Sequence, residues 1–254
     1  MTSLEVIALD GLPVIKAGDN LVELIASSLK QNGVEPRVQD VLVVAQKIVS
    51  KAEGRLVDLA TIKPSAQAIA LAADVDKDAR LVEVILSESV RVVRARRNVL
   101  IVEHRLGFIM ANAGVDQSNV GPVDGGQRVL LLPEHPDRSA AALRNGLTEK
   151  TGIDLAVVIN DSFGRAWRQG TAGVAIGVAG LPALIDLRGR PDLFGRKLEV
   201  SVIGFADEIA AAASLVMGQA DEALPVVLIR GLRWTAPASA AATIVRSPNE
   251  DLFR

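Results

Sequence analysis

The amino-acid sequence predicts a mixed α+β protein, and three observations carry that prediction. Continuous apolar runs at Val41–Ala45 and at 155–159 have the pattern of strands covered on both faces. Segments with apolar residues on one face of a 3.6-residue period, bounded by capping residues, lie between them. The two kinds of element follow one another irregularly, which fits α+β or mixed α/β packing better than strict βαβ repetition. The length of 254 residues is that of one large domain or two of ordinary size, enough for a core without a disulfide or metal staple.

Taken in order, 4–9 reads as a short strand that ends in Asp10-Gly11-Leu12-Pro13, a turn signature. A helix is expected over 20–32. Asp19 or Asn20 supplies its cap, Glu23 stands three after Asn20, Leu21, Leu24, Ile25 and Leu29 share a face, and Gly33 closes it. The strand Val41–Ala45 delivers a polar group, 46–54, directly at its end. Helical patterns at 65–73 and 78–89 precede strand-like 90–95 and 99–104. A Gly- and Asn-rich loop over 111–126 comes next, then a strand at 129–132 and a helix over 137–150 ended by Gly152. The strand 155–159 runs straight into the polar group 160–165. A Gly-rich segment at 170–185 and a charged, hairpin-like region follow. Strands at 198–203 and 226–230 then flank an Ala-rich helix over 206–217, and the tail 247–254 is polar.

Composition narrows the chemistry. Lys and Arg total 28 against 30 Asp and Glu, a net charge of -2, so nothing in the balance asks for a nucleic-acid partner. The absence of Cys excludes disulfides, thiolate catalysis, zinc fingers and iron–sulfur clusters, and 2 His are too few for a His-rich metal centre. With 5 Phe, 2 Trp and no Tyr, a platform for stacked bases is not expected. Any bound metal must be held by oxygen, and the chemistry falls to carboxylates, hydroxyls, amides, Lys and Arg. The N-terminus lacks the basic start, apolar run and cleavage site of a secretory signal. The longest uncharged stretch, 170–185, is broken by Gly and Pro and is shorter than the ~20 apolar residues of a spanning helix. A cytoplasmic protein without a membrane segment is expected.

Neither a P-loop nor a strand-following GxGxxG occurs, so a bound nucleotide needs another design. Asp161 follows a buried run, a place from which a strand-end carboxylate holds Mg²⁺ in phosphate-transfer enzymes and from which Asp also commonly caps a turn. Ser162 adds a hydroxyl, Arg165 and Arg168 add planar cations for phosphate oxygens, and Gly164 and Gly170 permit close backbone approach. Asp116 sits in the polar loop 112–119 without a basic neighbour in sequence, as a metal ligand or as an Asx-turn residue. Two Asp from separate loops plus a hydroxyl are what one or two Mg²⁺ or Mn²⁺ ions require. Lys47 and Lys51, grouped with Gln46, Ser50 and Glu53, either neutralise a nucleotide phosphate or form a solvated helix face. Arg91, Arg94, Arg96 and Arg97 read more readily as a solvated face than as a binding patch. His104 and His135 are assigned no catalytic role, Trp167 either stacks on a flat ring or packs, and Gln219 has a helix cap as its plain reading.

An ordered set of motifs resembles one family, the coenzyme F420-0:L-glutamate ligases, or gamma-glutamyl ligases, of deazaflavin coenzyme biosynthesis. The set comprises Leu9-Asp10-Gly11-Leu12-Pro13, Val49-Ser50-Lys51-Ala52-Glu53-Gly54-Arg55 and Asn112-Ala113-Gly114-Val115-Asp116 with Ser118-Asn119-Val120. It continues through Asp161-Ser162-Phe163-Gly164-Arg165, Ala175-Ile176-Gly177, Asp192-Leu193-Phe194-Gly195-Arg196, Ala206-Asp207-Glu208-Ile209-Ala210 and Met217-Gly218, so it covers nearly the whole chain. The resemblance implies one module over 1–254 with a two-lobed fold, no P-loop or Rossmann motif, and an intertwined homodimer. It also implies a stand-alone form, without the flavin-reductase-like domain fused to this module in mycobacterial forms.

The activity that the resemblance implies is GTP-dependent. The gamma-phosphate of GTP would activate the carboxylate of F420-0 as an acyl phosphate, the amine of L-glutamate would attack it, and further gamma-linked glutamates could follow. Asp116 and Asp161 would be catalytic and would bind a first Mg²⁺ or Mn²⁺, Ser162 and Gln219 would bind a second, and K⁺ would also take part. Leu12, Pro13, Val14, Ile15, Gln46, Lys47, Lys51, Asn119, Met217 and Gly218 would contact the nucleotide. Two departures stand out: Gln46-Lys47 replace small hydroxyl residues of archaeal relatives, and Gln219 is neutral where some relatives have an acid, which should weaken the second metal site. Two other readings compete, a metal-dependent phosphohydrolase that uses water as nucleophile and a non-catalytic deazaflavin-binding protein.

Overall fold

Strand β1 (Glu5–Leu9) leads to helix α1 (Leu21–Gln31), strand β2 (Val41–Ala45) and, without a break, helix α2 (Gln46–Ala52). The computed structural model describes residues 3–120 and 127–251; positions 121–126 of the Gly- and Asn-rich loop and 252–254 of the polar tail lie outside the described residues. After α2 come β3 (Leu56–Asp58), α3 (Ala66–Val75), α4 (Ala79–Ser87), β4 (Ser89–Arg96), β5 (Val99–His104), β6 (Ile109–Ala111) and β7 (Arg128–Leu130). Helix α5 (Pro136–Thr151) precedes the hairpin of β8 (Ala156–Arg165) and β9 (Arg168–Ala179). The short pair β10 (Ile185–Asp186) and β11 (Val202–Ile203), helix α6 (Phe205–Met217) and β12 (Val226–Arg230) complete the described chain. No helix among the described residues is long and apolar enough to cross a membrane.

The central sheet has the order β1, β12, β2, β8, β9. β2 and β8 are parallel, with Val44 beside Ile159, whereas β12 runs antiparallel to β1 and β2, and β9 antiparallel to β8. β1, β2 and β8 therefore point the same way. Their C-terminal ends share one edge of the sheet with the N-terminal end of β12.

Alternate residues of these strands serve two cores. Leu42, Val44, Val157 and Ile159 pack with Ile25 and Leu29 of α1 and Leu143 and Leu147 of α5. Val41, Val43 and Val158 pack with Ile209, Ala210 and Ala213 of α6. Burial on both faces is the reason that the sequence shows uninterrupted apolar runs here instead of alternation. Each buried Val, Leu or Ile side chain contributes ~1.5–3 kcal/mol by its removal from water. A third core, including Leu59, Val75, Val82, Ile85, Leu100 and Val102, joins α3 and α4 to the sheet β4–β5–β6.

Helix α1 begins where expected, because the Asn20 side chain accepts hydrogen bonds from the N–H groups of Val22 (3.1 Å) and Glu23 (3.3 Å). The Gly-rich segment differs from its reading. Its first part belongs to β9, paired with β8 from Val157↔Ala179 to Arg165↔Arg168. Glycine here does not break the strand; it admits neighbours. A Cβ at Gly173 would run into the Ala210 carbonyl of α6, and one at Gly177 into the Pro136 carbonyl of α5. The outer edge of β9 is closed by carboxylates, with Asp207 Oδ1 accepting from Ala175 N–H (2.9 Å) and Asp137 Oδ1 from Val178 N–H (2.8 Å).

Two other boundaries change. β8 continues six residues past Ile159, so Asp161 is a strand residue paired with Val174 and not part of a loop. Of the strand expected at 198–203, only Val202–Ile203 pairs, with β10. The preceding residues form a hairpin-like arm whose two limbs meet through separated backbone bonds such as Leu198 N–H to Arg190 O (2.9 Å) and Leu187 N–H to Ser201 O (3.0 Å) and through an isolated antiparallel bridge, Pro191↔Lys197, too irregular for a continuous ladder.

Candidate active site

A cavity of about 540 Å³ opens at the sheet edge where β1, β2 and β8 end and β12 begins. Its size is within the ~300–1,000 Å³ of small-molecule sites, and the carboxyl ends of parallel strands are where α/β sheets usually bind ligands. The chain leaving β1 supplies Leu12, Pro13, Val14 and Ile15 to the wall. The start of α2 supplies Gln46, Lys47 and Lys51, β8 supplies Asn160, Asp161 and Ser162, and the chain between α6 and β12 supplies Met217, Gly218, Gln219 and the loop to Pro225. Asn119 reaches the wall from the Asn-rich loop.

The turn of β2 directly into α2 aims the polar group of 46–51 at this space. Gln46 is buried, its Oε1 accepting from Ser50 Oγ (2.9 Å). Lys47 Nζ lies 2.7 Å from Asp116 Oδ2 and donates to Ser118 Oγ at 2.6 Å. Asp116 therefore has a basic partner, contrary to its isolation in sequence, because the 112–119 loop folds back onto α2. Its backbone is fixed by two hydrogen bonds with Leu130, and its Oδ1 accepts from Ser118 N–H (2.7 Å), so the Asx-turn reading holds as well. Burial pushes the Asp116 carboxyl up, but the hydrogen bonds from Lys47 and Ser118 and the lysine's charge outweigh it and hold the group below its usual value. Lys51 Nζ donates to Asn119 O (2.6 Å); burial, then the charge of Lys47, lowers its pKa.

Asp161 carries the strongest perturbation of the cavity wall. Protein packing around it pushes its carboxyl up to about 7; the Ser162 N–H (2.8 Å) opposes this, the Asp116 charge adds to it, and the Lys47 charge again opposes. Lys47 bonds Asp116 and acts on Asp161 only through its charge. Ser162 Oγ donates to Gln219 Oε1 (2.8 Å), which brings together two residues 57 apart in sequence. The oxygens of Asp116, Asp161, Ser162 and Gln219 are hard donors of the kind that Mg²⁺ or Mn²⁺ takes, with water and phosphate completing the set. Among the described residues no group of three or more His, Cys, Asp or Glu is drawn together. A divalent ion would thus be held by two carboxylates and neutral oxygens.

Other candidates fall elsewhere. Arg165 and Arg168 pair with each other across the exposed tip of the β8–β9 hairpin, away from the cavity wall, and Trp167 in the turn is 88% exposed. Arg91 bonds Glu103 and Arg97 bonds Asp76, as a solvated face would. His104 is buried, its Nδ1 accepting from Leu106 N–H (2.9 Å).

Sequence reading missed Asn160 and the loop acids. Asn160 is buried in the wall, donates to Ser214 Oγ (3.0 Å), and leaves its Oδ1 without a protein partner. Continuing the period of two from the buried run 155–159 would have placed it on the α6 face. Asp221 and Glu222 also line the cavity, and Glu222 Oε2 accepts from Ala220 N–H (2.8 Å). No periodic pattern marks that loop.

Comparison with known proteins agrees with the motif order. The model of the F420-0:gamma-glutamyl ligase family matches residues 11–231. The coenzyme F420:L-glutamate ligase of Methanothermobacter thermautotrophicus is 45% identical over 253 residues, 99% of each chain. That of Methanopyrus kandleri is 48% identical over 245 residues, 94% of this chain and 93% of the relative. That of Methanocaldococcus jannaschii is 42% identical over 252 residues, 98% and 96% of the two.

Proposed function

Because the chain belongs to the F420-0:gamma-glutamyl ligase family, we propose that it forms the amide between the F420-0 carboxylate and L-glutamate, in the cytoplasm, at the expense of GTP. The observation that carries this reading is Asp161 at the wall of a cavity that Lys47 and Lys51 also line, with Asp116 bonded to Lys47 beside it. Carboxylates beside lysines suit a reaction in which two anions must meet. In the first step a carboxylate oxygen of F420-0 attacks the gamma-phosphorus, the bond to the GDP oxygen breaks, and GDP leaves. In the second the glutamate nitrogen attacks the acyl carbon, the C–N bond forms, phosphate departs with the electron pair of the C–O bond, and the nitrogen gives up a proton. Further gamma-linked additions would repeat both.

Mg²⁺ or Mn²⁺ held by Asp116 and Asp161, with a second ion at Ser162 and Gln219 and with K⁺, would screen the approaching anions and stabilise charge on the transferred phosphoryl group. The chain's own residues do the rest. Lys47 and Lys51 meet phosphate oxygens, with Asn119 and the backbone from Leu12 to Ile15 holding the nucleotide. The apolar wall, including Leu12, Ile15 and Met217, limits water that would hydrolyse an acyl phosphate. The neutral Gln219 makes the second ion the weaker one. We also read the third core as a second lobe, and the protein as a homodimer.

The reading is tested by incubating the protein with F420-0, GTP, L-glutamate and Mn²⁺ or Mg²⁺ and following product mass. Addition of one glutamate with matched GDP release is expected, and its absence under every metal condition would sink the proposal. GDP release that does not depend on glutamate would favour a phosphohydrolase. Binding of F420-0 without nucleotide turnover would favour a non-catalytic binding protein.

A further inference from the structure

A second cavity, of about 230 Å³, wraps the outer edge of β9. Its position relative to Asp161 is set by the sheet. Phe163 is two residues beyond Asp161 on the same face of β8, and Val174 stands directly opposite Asp161 in the β8–β9 register. Both line the second cavity, whereas Asp161 itself lines the first. The carboxylate region at which the chemistry is placed is therefore the partition between a nucleotide-sized space and a small one.

The lining of the small cavity is chemically mixed. Phe108 and Phe163 form an edge-on pair, ring centroids 5.6 Å apart, that makes a rigid apolar wall. The charged residues of the lining are Asp207, Arg246 and Asp251. Asp207 is fixed by its bond from Ala175 N–H, through Oδ1, and Arg246 has a 3.5 Å bond to Glu250 O, so its fork is held only loosely. One cation and two carboxylates, Asp207 and Asp251, beside a short apolar wall match a free amino acid: a carboxylate for the guanidinium, an ammonium for the acidic side, methylenes for the rings. The volume is below the ~300 Å³ at which sites for larger ligands begin, which suits a five-carbon amino acid and is too small for a tricyclic deazaflavin with its side chain.

We propose that this cavity is the subsite for the incoming L-glutamate, with Arg246 binding a glutamate carboxylate and Asp207 its amino group, so that the amine meets the activated carboxylate beside Asp161. The inference rests on the ligase reading, and two measurements keep the two apart. Acyl phosphate formation is read without glutamate, by trapping the product of F420-0, GTP and Mn²⁺ with hydroxylamine as the hydroxamate. Glutamate use is read from the KM for L-glutamate in the complete reaction.

Arg246→Gln should raise the KM for L-glutamate about 10-fold or more, the loss of one charge-assisted contact, with hydroxamate yield and the KM values for GTP and F420-0 within twofold of the parent. Arg246→Lys should recover part of the loss. Arg246 is exposed and on a surface segment, so these variants are expected to fold. An unchanged KM for glutamate with hydroxamate formation intact overturns the subsite and leaves the ligase reading standing. A raised KM for F420-0 instead overturns it in favour of an acceptor subsite. Failure of the parent protein to yield hydroxamate counts against the ligase reading and against the subsite that rests on it.

Discussion

Asp161→Asn exchanges a carboxyl oxygen for an amide NH2 of nearly the same shape, which makes it the sharpest single-residue test. The substitution removes a carboxylate whose environment already pushes it toward the neutral form, so it takes no apolar volume from the core and leaves the β8–β9 ladder intact. The thermal midpoint in a chelator should stay at or above that of the parent, while ligase turnover should fall by roughly 10²-fold or more, as for the loss of a group that stabilises transferred charge. Loss of folded protein would instead make Asp161 a structural residue of the strand. At this scale the sequence was informative about chemistry and silent about partners. Asp116, Asp161 and Ser162 were legible as oxygen donors because Cys and His are too scarce for anything else. The Lys47–Asp116 bond was not legible, because the two lie 69 residues apart and meet only when the Asn-rich loop folds back on α2.

Between elements, Glu88 does the tying. At the C-terminal end of α4 its Oε2 lies 2.9 Å from Arg55 after α2 and 3.1 Å from Arg105 after β5, with the buried His104 Nε2 3.5 Å away, near but not in a well-formed hydrogen bond. Burial pushes its carboxyl up, but His104, the charge and hydrogen bond of Arg55 and the charge of Arg105 outweigh that and hold it at about 2. A carboxyl depressed on folding contributes stability that is present above its unfolded value, ~4.3, and is lost as pH falls toward 2. Here the contribution at neutral pH is on the order of 3 kcal/mol. Glu88→Gln should lower the denaturation midpoint at pH 7 and flatten the acid limb of a stability-against-pH curve between about pH 4.5 and 2; an unchanged acid limb would mean that the cluster adds nothing net. Elements with one clean periodic signal, α1, α5, β2 and α6, lie close to where periodicity puts them. β9 was hidden because its glycines, at 173 and 177, serve the close approach of α6 and α5 and so erase the side-chain pattern by which a strand is recognised.

For the whole molecule, the arm between β10 and β11 is the feature that a single chain leaves unexplained. Leu193 and Phe194 at its tip are 97% and 95% exposed, and Asp192 Oδ1 holds their turn by accepting from the N–H groups of Phe194 (2.8 Å) and Arg196 (2.9 Å). Preformed apolar tips of this kind suit a protein partner. If the homodimer forms through the arm, Leu193→Asp with Phe194→Asp should reduce the sedimenting mass from two chains to one while leaving the circular dichroism spectrum unchanged. A mass that does not change would exclude the arm as the contact. The sequence by itself determined the kinds of element, the oxygen-and-lysine chemistry and, through the order of its motifs, the family, because periodicity and residue type act over a few neighbours. Only the tertiary structure decided which groups meet. Sheet order turns the ends of β1, β2 and β8 and the start of β12 toward one edge, and the β8–β9 register sets Asp161 between two cavities. Pairing of strands far apart in the chain is chosen by how both faces of the sheet can be covered at once, and no local stretch of sequence contains that information.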